Sequence, residues 1–144
     1  MQLNKLSKDD ILVFHDRDDW PPAFVKGLND FNGLKASLYK KPSECLKRVK
    51  KGLGGVEVVV LHKDIGQHVP EEWGLGIDSD KIARAIHEEA EHVRVIVVSG
   101  EYPDGTKHVL RMGADGYCNA MDVSSDWMME QLRRGSVTQE EMAR

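Results

Sequence analysis

The sequence predicts one α/β domain of the doubly wound kind, a five-stranded parallel sheet with helices on both faces. Two observations carry that prediction. Ile11 to Phe14, Val58 to Leu61 and Val95 to Val98 are continuous apolar runs, the pattern of parallel strands covered on both sides. The stretches between them carry apolar residues at three- and four-residue spacing, the period of helices that lay one face on a sheet. With 144 residues, 40% hydrophobic and 31% charged, the chain is long enough to bury one sizeable core.

Taken in order, the first strand is Ile11 to Phe14. Pro21-Pro22 then opens a helix whose stripe, Phe24, Val25, Leu28 and Phe31, is expected to face the sheet. Leu34 to Tyr39 alternates apolar and polar residues and suits an edge strand. Pro42 and Ser43 precede a second helix with the stripe Cys45, Leu46, Val49 and Leu53, and Gly52 lies near its end. The third strand, Val58 to Leu61, leads into a long loop from Gly66 to Gly76. Asp78, Ser79 or Asp80 caps a third helix bearing Ile82, Ala85, Ile86 and Ala90. The fourth strand is Val95 to Val98. Thr106 caps a fourth helix that carries Val109 and Leu110 and ends at Gly113. Gly116 to Cys118 is brief and suits the opposite sheet edge. The last helix opens near Ser124 or Ser125 and buries Trp127 or Met128 with Leu132. Residues 1–135 are therefore expected to form a single domain, and residues 136–144 a flexible C-terminal tail.

Right-handed crossovers make the flavodoxin-like strand order 2-1-3-4-5 the economical topology. In such sheets the functional crevice lies at the carboxyl ends of the strands. Chemistry is expected at residues 14–20, 62–68, 99–105 and 118–122.

Composition narrows the function. A formal charge of −4, spread along the chain without a long basic run, offers no footprint for nucleic acid. No apolar run approaches the roughly 18 residues of a membrane span, and no signal-peptide core is evident, so a cytoplasmic location is expected. Cys45 and Cys118 lie in separate elements outside any metal or redox spacing, as expected for buried reduced thiols.

Four segments carry more specific information. They are Ile11-Leu12-Val13-Phe14-His15-Asp16, Val58-Val59-Val60-Leu61-His62-Lys63-Asp64-Ile65, Val95-Ile96-Val97-Val98-Ser99-Gly100 and Gly113-Ala114-Asp115-Gly116-Tyr117-Cys118. In order and spacing they resemble strands one, three, four and five of a CheY-like response-regulator receiver domain, over about Asp9 to Arg134. Receivers phosphorylate an aspartate at the end of strand three and bind a divalent cation with acidic residues after strand one. They read out the phosphoryl group with a hydroxyl residue, an aromatic residue and a lysine. The resemblance places His62 at the phosphoacceptor position and His15 and Asp16 at the acidic pair, with Asp64 beside them. Ser99 and Tyr117 match the hydroxyl and aromatic positions. Ala120 falls where the lysine is expected and Met121 where a proline usually follows. The loop from Gly66 to Gly76 exceeds the family norm.

These departures bear on function through their chemistry. Acyl-phosphate formation needs a carboxylate nucleophile and hard oxygen ligands for Mg²⁺. Histidine at positions 15 and 62 supplies neither, and alanine at 120 removes a cation that would pair with phosphoryl oxygens. The resemblance therefore implies a degenerate pseudo-receiver. It would be non-enzymatic, stand alone, and act in signal transduction through protein–protein contacts without strand-three phosphorylation. No cofactor is expected beyond residual Mg²⁺ binding. In receivers the face of helix four, strand five and helix five commonly docks partners or forms dimers. Here that face would carry Lys107, His108, Arg111, Asp115, Arg133 and Arg134, a set able to pair across a two-fold axis in a homodimer or to meet a signalling partner.

Plainer readings stand beside these. Ser99 could cap a turn beside Gly100, Tyr117 fill a gap under a helix, and the charged face be simply solvated. Asp16, Asp18 and Asp19 could form a solvated acidic turn, and Trp73 anchor the long loop rather than meet a partner. Two further alternatives remain open. Asp16-Arg17-Asp18 after an apolar strand resembles the opening motif of haloacid-dehalogenase-like phosphatases, with Asp16 as nucleophile and Asp18 as general acid. His15, Asp16 and His62, with Asp64 or His68 nearby, could instead ligate a transition metal.

Overall fold

The computed structural model describes residues 9–100 and 114–134, for Arg134 the backbone only. Five parallel strands form one sheet in the order β2-β1-β3-β4-β5: β1 Ile11–Phe14, β2 Ala36–Tyr39, β3 Val58–His62, β4 Arg94–Ser99 and β5 Gly116–Asn119. The helices are α1 Trp20–Phe31, α2 Pro42–Lys50, α3 Ser79–Glu89 and α4 Ser125–Arg134. The doubly wound order expected from the apolar runs is the one observed. The fourth helix expected from Thr106 to Gly113 lies outside the described residues.

Strand register explains the continuous apolar runs. Ile11 pairs with Val58, Val60 with Ile96 and Leu61 with Val97. Alternate side chains therefore line up across three strands into two separate cores. Leu12, Phe14, Val59, Leu61, Val95 and Val97 pack under α2 and α3 with Cys45, Val49, Ile82 and Ile86. Ile11, Val13, Val58, Val60, Ile96 and Val98 pack under α1 and α4 with Phe24, Leu28 and Met128. Each fully covered Leu, Ile or Phe contributes about 1.5–3 kcal/mol by leaving water, so a polar residue in either row would be costly.

Local chemistry sets the helix ends. Prolines occupy the first turns of α1 and α2, where their missing N–H is no loss. The Asp78 carboxylate accepts the Lys81 N–H at 2.9 Å and caps α3. The Ser124 hydroxyl accepts the Trp127 N–H at 3.1 Å and caps α4. Within α4 Met128 is fully buried, with Trp127 and Leu132 packed against the same cluster.

Three expectations are corrected. Phe31 belongs to the α1 stripe by spacing yet is 83% exposed. The helix stops there, and the chain reverses at Gly33 with a positive φ of 68°. The Leu34 N–H then returns to the Leu28 carbonyl at 3.3 Å, so Leu34 packs where Phe31 was expected. Ala90 lies past the end of α3 as its cap, although it still touches the core. Strand β2 begins at Ala36 rather than Leu34, and there the Asn29 side chain on α1 accepts the Ala36 N–H at 2.7 Å and donates to its carbonyl at 3.0 Å.

Candidate functional site

The carboxyl ends of β1 and β3 are adjacent, and their pairing continues through Phe14 and Leu61. His15 and His62 are the next residues on each strand. The His15 N–H still donates to the Tyr39 carbonyl at 3.1 Å, which extends β1 toward β2. The two imidazoles consequently face each other, stacked with ring centroids 3.9 Å apart and planes within 7°. Trp20, from the first turn of α1, closes over the far side of His15 edge-on at 4.9 Å. His15 is only 2% exposed, whereas 18% of the His62 side chain and 14% of the Asp16 side chain remain open.

Asp16 ties the pair together. Its Oδ1 lies 3.1 Å from His62 Nδ1 and 3.8 Å from His15 Nδ1. Burial works to raise the Asp16 carboxyl, but the hydrogen bond and charge of His62, with help from its own backbone and from His15, hold it below the usual value. An ionised carboxylate only accepts, so His62 Nδ1 carries the shared proton. The Arg17 N–H donates to His15 Nδ1 at 3.3 Å, which leaves that nitrogen with its lone pair and puts the proton of the neutral ring on Nε2. Burial first, and the neighbouring His62 second, lower the His15 imidazole from 6.5 to about 3, against the pull of Asp16. The site therefore holds a neutral buried imidazole, a carboxylate and a second imidazole bonded to it.

The surrounding loops are held by their own contacts. Arg17 bonds Asp19 through both Nε at 3.1 Å and a terminal nitrogen at 2.5 Å. Asp18 pairs with Lys40 at the end of β2 and is exposed, away from the Asp16 carboxylate contacts. Asp64 lies 3.8 Å from Lys63, and His68 is exposed; neither joins the His15, Asp16 and His62 group. The long loop after β3 folds back on itself, with the Gly76 N–H bonded to the Gly66 carbonyl at 3.0 Å. A Cβ on Gly66, whose φ is +86°, would stand 2.1 Å from the Ile77 carbonyl oxygen. Trp73 is half-buried in this loop, and the ammonium groups of Lys40 and Lys41 lie 5.8 and 5.4 Å from its ring centre. Trp73 thus keeps one part of its ring against the chain and one part open to solvent.

On the other side of the crevice, Ser99 ends β4 and is 2% exposed. The half-buried Tyr117 directs its hydroxyl inward, donating to the Ser99 carbonyl at 3.4 Å. Ala120 starts a short helical turn that the Asn119 side chain caps by accepting the Met121 N–H at 2.9 Å. Among the charged residues expected on one face, Lys107, His108 and Arg111 lie outside the described residues. The Asp115 carboxylate turns inward to accept the Val95 N–H at 2.8 Å, with His87 Nε2 at 3.5 Å. Arg133 is exposed and paired with Glu130, one turn earlier on α4, and Arg134 is the last residue of that helix.

Of the residues expected at the crevice, His15, Asp16 and His62 converge in direct contact, and Ser99 and Tyr117 meet through the Ser99 carbonyl. Sequence reasoning missed the role of Trp20, although residue 20 falls within the segment 14–20 expected at the crevice. Its position in the first turn of a helix that follows β1 by five residues was the available signal. It also missed Lys40, whose pairing with Asp18 depends on strand order rather than on sequence distance.

The sequence matches no protein-family model and no curated protein sequence. Its structure is similar to that of NtrX from Brucella abortus in complex with ATP, with a TM-score of 0.69 and 18% identity over 95% of this chain and 28% of NtrX. It is similar to the chemotaxis protein CheY4 of Vibrio cholerae, with a TM-score of 0.68 and 14% identity over 90% of this chain and 99% of that one. It is also similar to the BeF3-activated receiver domain of DrrB, with a TM-score of 0.67 and 16% identity over 89% and 97% of the two chains. At these identities the likeness is one of fold, and with NtrX it concerns just over a quarter of the larger protein. The described part of the chain has the CheY-like fold of response-regulator receiver domains.

Proposed function

We propose that this chain acts in signal transduction through protein–protein contacts, as a pseudo-receiver whose output does not depend on phosphorylation at the end of β3. One observation carries the reading. The position that ends β3 at the crevice is an imidazole, held by the Asp16 carboxylate at 3.1 Å and stacked on a buried imidazole 3.9 Å away. Phosphoryl transfer from a donor needs an in-line nucleophile and a cation ligated by hard oxygens. In this group one carboxylate remains, and its oxygen is engaged by His62. The absence of lysine at position 120 supports the same reading, because alanine there offers no charge to a bound phosphoryl group.

Output would then come from the surface of β5 and α4, where Arg133 is exposed. A signalling protein or a second copy of the chain is the proposed partner, and a cytoplasmic location goes with the two free, buried cysteines. Among the described residues no helix is long and apolar enough to cross a membrane. The phosphatase reading has less support, because its general acid, Asp18, is exposed and paired with Lys40.

Incubation with acetyl phosphate and Mg²⁺, followed by intact-mass measurement, tests the reading. An unmodified mass is the expected result. A phosphoryl adduct mapped to Asp16, Asp64 or His62 would overturn it.

A further inference from the structure

The geometry at the ends of β1 and β3 points to a transition-metal site, formed by His15 Nδ1, His62 Nδ1 and Asp16 Oδ1, that takes a zinc-like divalent ion. Three observations converge on it. His15, Asp16 and His62 each offer a ligand atom, the three within 4.8 Å of one another, and they are the one such group of His, Cys, Asp or Glu residues among those described. Ligands placed tetrahedrally at about 2.0–2.1 Å from zinc stand roughly 3.4 Å apart. The two measured spacings to Asp16 Oδ1, 3.1 and 3.8 Å, straddle that value. Finally, the two histidines sit side by side at the ends of paired strands, His62 closing β3 and His15 directly following β1, and Trp20 braces His15 at 4.9 Å.

The donor chemistry selects the ion. Two imidazole nitrogens and one carboxylate oxygen suit zinc, cobalt or nickel, whereas Mg²⁺ and Ca²⁺ prefer oxygen donors throughout. Three protein ligands leave a fourth position for water, and the exposure of His62 and Asp16, at 18% and 14%, provides the route in. His15 already presents the Nδ1 lone pair, which now accepts the Arg17 N–H. Binding replaces that contact with the ion and replaces the proton on His62 Nδ1, which moves to Nε2 or to solvent. Lone pairs of parallel rings do not converge, so the more exposed His62 ring must turn out of its stack with His15. Loss of the stack is therefore part of the proposal and gives it a separate readout.

The test is a calorimetric titration of the full chain with Zn²⁺, alongside His62→Gln and Asp16→Asn, with circular dichroism melts to verify that both variants fold. One saturating equivalent in the wild type, weakened at least tenfold in each variant and undisturbed by excess Mg²⁺, is the expected result. Adding Co²⁺ to the wild type should give a visible ligand-field band and displace the His15 and His62 ring resonances, an arm that needs no variant. Absence of saturable zinc binding, or binding that either folded variant retains at full strength, would overturn the site. The outcome is independent of the acetyl phosphate experiment, so either proposal can fail alone.

Discussion

Stability in acid should report the burial of His15 directly. Its imidazole titrates near 6.5 in the unfolded chain and at about 3 in the fold, chiefly because burial opposes its charge. The unfolded state therefore binds the extra proton between these values, and stability falls as pH drops below 6.5. At pH 5, about 1.5 units below the unfolded value, the loss from this one group is about 2 kcal/mol, and it grows toward pH 3. Asp16, whose folded value is lowered, adds a loss of the same sign at still lower pH. The assay is urea unfolding at pH 7 and pH 5, in the presence of a chelator, for the wild type and for His15→Gln. Comparing the pH difference within each protein cancels whatever the substitution does to packing. The wild type should lose about 2 kcal/mol more than the variant between the two conditions. An equal loss in both proteins would refute the placement of a neutral, buried His15 against His62.

Other perturbations separate the parts of the fold. Gly66→Ala combines a positive φ, costing roughly 1–2 kcal/mol, with displacement of the Ile77 carbonyl and strain on the Gly76 to Gly66 hydrogen bond. A total of about 2–4 kcal/mol, or roughly 5–15 °C in Tm by calorimetry, is expected. Gly27→Ala, on α1 with nothing within 4 Å of the added carbon, should instead stabilise by up to about 1 kcal/mol. Leu28→Ala should cost about 2–5 kcal/mol in denaturant unfolding. Phe31→Ala, three residues on, should stay within about 0.5 kcal/mol because that ring is 83% exposed. If the proposed face self-associates, light scattering at high concentration should give a dimer mass that Arg133→Glu reduces to a monomer; a wild-type monomer removes the homodimer form of the proposal.

The fold was largely legible because the strands announce themselves. Val58 to Leu61 and Val95 to Val98 are apolar at every position, which a parallel strand covered on both faces requires and an amphipathic helix does not. The strand order 2-1-3-4-5, expected as the economical doubly wound topology, is the one observed and places residues 15, 16 and 62 at one crevice. The contacts within that crevice were not legible, since stacking at 3.9 Å depends on the register of β1 against β3 and on the packing of Trp20. Phe31 shows the same limit in the core. Its spacing is that of a buried residue, but helix length relative to the sheet decides its exposure, and spacing does not encode length. Asp115 was assigned to a charged face by its place beside strand five in the receiver resemblance, whereas its carboxylate satisfies the backbone of β4.

Amide NMR spectra recorded before and after Mg²⁺ with beryllofluoride, a phosphoryl mimic on aspartate, test phosphorylation independence most directly. The expected result is that resonances of His62, Ser99 and Tyr117 stay in place. Saturable shifts at those three residues would mean that Asp16 or Asp64 still assembles a phosphoryl and Mg²⁺ site, which contradicts the proposed function.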